Sequence, residues 1–142
     1  MLKSQQGSIY RVVLGFFIVL AFCFALAWPQ YSKRRDAKQL ANAADLGRAL
    51  AFAEQSYKQA KGQYTDQLSK LDLSLPCPVI VQDEQILLSC KEYTYQLVDN
   101  SYIKAAHKHL PVWLEVDLTS GTTVCKHEKD DWAGQDLCAH MQ

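Results

Sequence analysis

Seventeen consecutive residues, Val12 to Trp28 (VVLGFFIVLAFCFALAW), carry neither a charge nor a side-chain amide and hold four of the five phenylalanines of the chain. As a helix rising 1.5 Å per residue the run covers about 25 Å, just short of the roughly 30 Å hydrocarbon core of a bilayer. A single helix is the structure that satisfies every backbone polar group in such a setting, so residues 8–29 are expected to form a transmembrane segment. The same run has two other uses: a removable secretory signal, with Arg11 in its basic region and Ala25-Leu26-Ala27 as an Ala-x-Ala cleavage site, or a plain anchor for an exported domain.

The formal net charge of zero hides an asymmetry. Residues 1–61 carry nine Lys/Arg against three Asp/Glu, and residues 62–142 carry six against twelve. A basic stretch can signal nucleic acid. Here it flanks the apolar run, with Lys33, Arg34 and Arg35 where phospholipid head groups would lie, so a membrane is the expected partner and nucleic acid is not. Lys3, Arg11 and the amino terminus on one side roughly balance Lys33, Arg34, Arg35, Lys38 and Asp36 on the other, so charge leaves the orientation open.

Pro29 follows the apolar run. From Gln30 to Lys61 there is no further proline and one glycine, and Ala, Leu, Gln, Lys and Arg dominate, a composition that favours helix. Leu46, Leu50, Ala53, Tyr57, Ala60 and Tyr64 recur at spacings of three and four, predicting one apolar stripe. Gly62 is placed to end the helix, with Lys58 and Lys61 in the last turn where cations complement the macrodipole. Residues 30–62 are thus an amphipathic continuation of the membrane helix, kinked at Pro29.

Beyond Gly62 the period changes. Segments 79–81, 86–90, 93–98, 112–118 and 122–125 are rich in β-branched and aromatic residues and bounded by turn residues. In the fourth, Val112, Leu114, Val116 and Leu118 alternate with Trp113, Glu115 and Asp117. Three to five antiparallel strands can bury one face against the helix stripe, giving an α+β chain whose head spans residues 63–142. The tail from Lys126 reads as a loop.

Cys23 lies inside the apolar run and reads as a small membrane-embedded hydrophobe. Cys77, Cys90, Cys125 and Cys138 remain, with no Cys-x-x-Cys among them. Of the three connectivities possible, we favour the two local ones, 77 with 90 and 125 with 138. Each would contribute about 3 kcal/mol in the chain-entropy view and would place the head in an oxidising compartment.

A hydrophobic fraction of 49% with 21% charged residues excludes intrinsic disorder, and 142 residues exclude a multidomain enzyme. No Gly-x-Ser-x-Gly, phosphate loop or His-Glu-x-x-His occurs, so no enzyme, catalytic residue or cofactor is expected. His107, His109, His127 and His140 read as loop histidines rather than zinc ligands. Glu128, Asp130, Asp131 and Asp136 read as a solvated acidic loop, their spacing unlike that of an EF-hand. No metal site is therefore assigned. Trp113 and Trp132 read as cap or core, with contact to a partner as the alternative.

The combination of a hydrophobic helix, a proline, an amphipathic continuation and a small disulfide-tied β head resembles a type IV pilin or type II secretion pseudopilin. Lys3 and Gly7 resemble the basic, glycine-ended leader (residues 1–7) that prepilin peptidase cuts, which would make Ser8 the first mature, methylated residue. Pro29-Gln30-Tyr31 resembles the tripeptide that many pilins carry at this depth. Residues 53–73, AEQSYKQAKGQYTDQLSKLDL, resemble the family's helix end, and Cys125 with Cys138 its C-terminal disulfide loop.

The resemblance implies an inner-membrane, single-pass subunit with its head in the periplasm, extracellular when assembled into a filament for adhesion, motility, DNA uptake or secretion. Its partners would be the peptidase and other pilin subunits, packed through Val12, Leu14, Phe16, Phe17, Leu20, Phe24 and Pro29. The family's glutamate, which neutralises a neighbouring subunit's amino terminus, falls at Val12. That substitution implies a minor, priming or tip subunit rather than the repeating one. The alternative is a small exported binding domain, released by signal cleavage or held by a simple anchor.

Overall fold

The structure is a computed structural model that describes residues 3–71, 73–74 and 77–141, with side chains from Ile9 onward. The first helix, α1, runs Lys3–Lys61 over 59 residues with Pro29 inside it. Proline removes the amide that would bond the carbonyl one turn earlier. The Ser32 hydroxyl donates to the Pro29 carbonyl at 3.0 Å within the same turns. By internal contacts the chain forms two compact units, the first ending at Asp36 and the second beginning at Ala37.

The second unit is built on residues 37–61 of α1. Gly62 ends the helix: its φ of 83° is the left-handed conformation that glycine adopts without penalty, and its N–H bonds the Lys58 carbonyl at 2.7 Å. A short 3-10 turn, η1 (Leu68–Lys70), leads to six strands: β1 (Val79–Gln82), β2 (Gln85–Cys90), β3 (Tyr93–Val98), β4 (Tyr102–His107), β5 (Val112–Asp117) and β6 (Thr123–His127). They form one antiparallel sheet in the order β1-β2-β3-β4-β5-β6, closed at the β6 side by helix α2 (Trp132–Ala139). The architecture is α+β: a long N-terminal helix packed on an antiparallel sheet.

Alternation along the strands decides which face the helix covers. Tyr93 and Tyr95, Ile103 and Ala105, and Val112, Leu114 and Val116 point inward and are buried. The register sets Tyr95 opposite Ala105 and Ala105 opposite Leu114. Against this wall α1 buries Leu40, Ala43, Ala44, Gly47, Leu50, Ala51 and Glu54.

That set corrects the expected helix stripe. Leu50 belongs to it, but Leu46, Ala53, Tyr57 and Tyr64 are half-buried flanks and Ala60 is exposed. Small residues occupy the seam because helix and sheet approach closely there. A Cβ on Gly47 would lie 2.8 Å from Val116 Cγ2, inside van der Waals contact.

The sheet has six strands rather than three to five, because residues 102–107 form β4 between the strands expected on either side. The tail also differs from the expected loop. The Asp131 carboxylate accepts from the Gly134 N–H at 2.8 Å and caps α2, while Leu137 and Cys138 join the core. Gly134 is held against β6, since a Cβ there would lie 2.7 Å from the His127 Cβ.

Candidate membrane and assembly surface

In the first unit the side chains from Ile9 to Tyr31 are exposed on every side of α1. Of the residues expected to pack in assembly, Val12 is 70% exposed and Phe24 68%, Leu14, Phe16 and Phe17 lie between 55% and 64%, Leu20 is 38% exposed, and Pro29 is exposed as well. The segment has a mean hydropathy of 2.5 over its best 18 residues and none of that window is buried. A helix in the core of a soluble domain with this composition would be covered. Exposed in water, each such side chain forgoes about 1.5–3 kcal/mol of burial, so the segment needs an apolar environment from outside the chain. It is a candidate membrane anchor. Cys23 is a free thiol on the same exposed surface.

Residues 1 and 2 of the expected leader lie outside the described residues, and of residues 3–8, including Gly7 and Ser8, only the helical backbone is described. The structure joins Cys77 to Cys90 and Cys125 to Cys138, with Cα separations of 4.8 and 5.4 Å. The first bridge ties the segment before β1 to the end of β2, and the second ties α2 to β6. Two disulfides in so small a unit point to an oxidising compartment.

The helix end carries a polar anchor that the apolar periodicity did not reveal. Glu54 is fully buried and accepts the Thr65 N–H at 3.1 Å. The Thr65 hydroxyl in turn bonds Gln67 through its carbonyl at 2.7 Å and its N–H at 2.9 Å. Lys58 lies 4.4 Å above the Tyr64 ring. Gln55 donates to the Leu118 carbonyl and, at 2.9 Å, to the Thr119 carbonyl, pinning α1 to the turn after β5. The clue in the sequence was the isolated Glu54 on the face of Leu50 and Ala51.

On the face of the sheet away from α1, Glu115 accepts from Trp113 Nε1 at 3.1 Å and pairs with Lys126 at 2.6 Å, while Lys104 lies 5.1 Å from the centre of the Trp113 ring. Burial pushes the Glu115 carboxyl up, but the hydrogen bonds from Lys126 and Trp113 outweigh it and hold the group below its usual range. Trp113 is thus built into a network, whereas Trp132 is 75% exposed at the start of α2.

Two of the histidines bond backbone through their rings. His107 Nδ1 accepts the N–H groups of His109 and Leu110 at 3.0 Å, and His127 Nδ1 contacts the Glu128 carbonyl at 2.8 Å. Among the described residues no three His, Cys, Asp or Glu side chains converge as metal ligands would. A groove of about 580 Å³ lies between Leu46 of α1 and Tyr93 of β3. Its sulfurs, Cys77 and Cys90, are joined in a disulfide and supply no thiolate nucleophile.

Comparison with known proteins returns no match: no family model fits the sequence, and neither a curated protein nor a solved structure is significantly similar to it.

Proposed function

We propose that this chain is a pilin-like subunit, of the minor or pseudopilin kind, anchored in the inner membrane by residues 8–29 and carrying a disulfide-tied head on the periplasmic side. One observation carries the reading. A single helix is apolar and uncovered over its first half and forms the spine of an antiparallel head over its second. A secretory signal needs no such continuity, because its helix is discarded. A subunit that must pass from membrane into filament needs its apolar rod joined firmly to its head.

In this reading Val12, Leu14, Phe16, Phe17, Leu20 and Phe24 exchange lipid for the rods of other subunits. Association in that setting rests on van der Waals packing rather than on the hydrophobic effect. Gly15 favours it: a Cβ there would have nothing within 4 Å, so the position is open for a neighbouring helix to come close. Val12 in place of an acidic residue leaves no carboxylate to neutralise a neighbour's amino terminus, and an unpaired charge in that environment is costly. The subunit therefore suits a position with few neighbours on that side.

Mass spectrometry of the mature protein tests the reading. The proposal expects an N-terminus at Ser8, methylated, and expects Gly7→Leu to leave the precursor uncut and unincorporated. An N-terminus at Trp28 identifies a released secretory domain, and an intact Met1 overturns the leader assignment and leaves an unprocessed pilin-like protein or a simple anchor. Normal processing and incorporation of Gly7→Leu overturn the leader assignment.

A further inference from the structure

We infer that strand β1 is a docking edge for a second copy of this chain, the two β1 strands pairing antiparallel across a two-fold axis into one continuous sheet. The two edges of the sheet differ. β6 is closed by α2 and the Cys125–Cys138 bridge, whereas β1 ends the strand order with β2 as its one strand neighbour among the described residues. Val79 and Val81 are 50% and 72% exposed. The strand, VIVQ, contains neither a charge nor a proline, the devices that commonly protect such an edge. It is also held ready for pairing. The Cys77–Cys90 bridge fastens its entry, and Asp83 and Glu84, left-handed with φ of 49° and 65°, make the turn into β2.

Backbone directions fix the register. The Ser89 N–H donates to the Pro78 carbonyl at 2.9 Å. By the alternation of an antiparallel ladder, Pro78, Ile80 and Gln82 then address β2, and the N–H and C=O groups of Val79 and Val81 address the open side. Setting Val79 opposite Val81 of the second copy uses all of these groups and places Ile80 opposite Ile80. The same register carries the acidic turn Asp83-Glu84 of each copy alongside Cys77 of the other. Cys77 lies 4.8 Å from Cys90 between Cα atoms, and the next residue, Lys91, is exposed at the turn into β3, while Glu92 is half-buried. Acid thus meets base at both ends of the pair, whereas a parallel pairing sets the two acidic turns side by side. With one open edge on each copy, association closes at two.

The arrangement suits two copies held in one membrane. α1 follows β5, with Gly47 over Val116 and Gln55 reaching the Leu118 and Thr119 carbonyls. Neighbouring strands rotate by about 20–25° per step, so from the two-fold axis to β4, at the middle of the covered face, roughly 70–90° accumulates. That rotation swings the α1 segment of each head from the direction of β1 toward the axis, and the two segments point the same way although the β1 strands oppose.

The test uses the full-length protein in phospholipid vesicles, with Cys23→Ser to remove the free thiol. Under mild oxidation Ile80→Cys is expected to give a dimer whose peptide map holds an 80–80 disulfide, and Gln82→Cys, opposite Pro78 in this register, to give little. Val81→Pro removes an N–H that faces the open side and costs no bond to β2. It should abolish the Ile80→Cys cross-link, as should Val81→Lys, which alters only an exposed side chain. Lys91→Glu should weaken the cross-link, and Asp83→Lys/Glu84→Lys added to it should restore it at low salt. No dimer from Ile80→Cys leaves the edge to a strand of another protein and overturns the pairing of copies. A cross-link that survives both Val81 variants, or one equally efficient at Gln82→Cys, overturns it as well. None of these outcomes touches the mature N-terminus by which the pilin reading is tested.

Discussion

The Glu54 carboxylate accepts the backbone N–H of Thr65 across eleven positions, with both residues buried and the second carboxylate oxygen without a hydrogen-bond partner among the described residues. Removing the acceptor strands a buried amide. Glu54→Ala is expected to cost about 1–3 kcal/mol, read as a lower urea midpoint for the full-length protein in detergent.

The same pair gives the head a pH dependence of definite sign. Burial raises the Glu54 pKa above its ordinary 4.5, and the Thr65 N–H pulls it partly back. The folded state then holds the proton more tightly than the unfolded chain. The stability from this group is complete below 4.5 and is lost as pH rises through the raised value. Wild-type stability minus that of Glu54→Gln should therefore shrink from pH 4 toward neutrality. A difference that grows with pH would show that the carboxylate is stabilised in its ionised form.

Gly47 and Val116 mark a close approach of helix to sheet. Gly47→Ala gains about 1 kcal/mol of helix propensity, but the overpacked contact costs about 1–3 kcal/mol, so a net loss is expected. Val116→Ala opens the space. In that background Gly47→Ala should become neutral or stabilising, and thermal melts of the four proteins in the double-mutant cycle measure the coupling.

The two bridges predict a thiol count. Denatured without reductant, the protein should present one reactive thiol, that of Cys23; five would refute the pairing. Cys125→Ser/Cys138→Ser should lose about 3 kcal/mol, with hydrogen exchange rising first in α2, whose other buried residues are Leu137 and Gly134.

Leu20 stands at the midpoint of the apolar run. Leu20→Lys places a charge at the centre of a span with no residues to spare, at a cost of about 2.5–3.5 kcal/mol. The variant should move from the carbonate-resistant membrane fraction toward the soluble one, and unchanged membrane retention would contradict the anchor.

What could be read in advance follows from which signals are local. The apolar run, the glycine end of the helix and the alternation from Val112 to Leu118 are written in side-chain type, and they appear where expected. Strand β4 was hidden because Lys104, Ala105 and Ala106 have little β preference of their own. Ala105 is in a strand through its pairing with Tyr95 on one side and Leu114 on the other, all three buried. Its preceding turn was visible in principle: Asp99 and Asn100 take φ of 49° and 52°, the left-handed conformation such residues tolerate in a tight turn, here closed by the Ser101 N–H on the Val98 carbonyl at 2.9 Å. Helix α2 is eight residues long and contains a glycine, so its cap Asp131 was the usable sign. The helix seam was misplaced by rotation, since Ala44, Gly47 and Ala51 pack by being small and Glu54 by being bonded.

In the head, spatial neighbours within the sheet are neighbours along the chain, and each cystine joins residues only thirteen apart. Loops closed in forming the sheet are therefore short, and such local pairing goes with rapid acquisition of structure. A sheet of this wiring can be completed hairpin by hairpin, with no strand waiting for a distant mate before oxidising surroundings lock the two bridges.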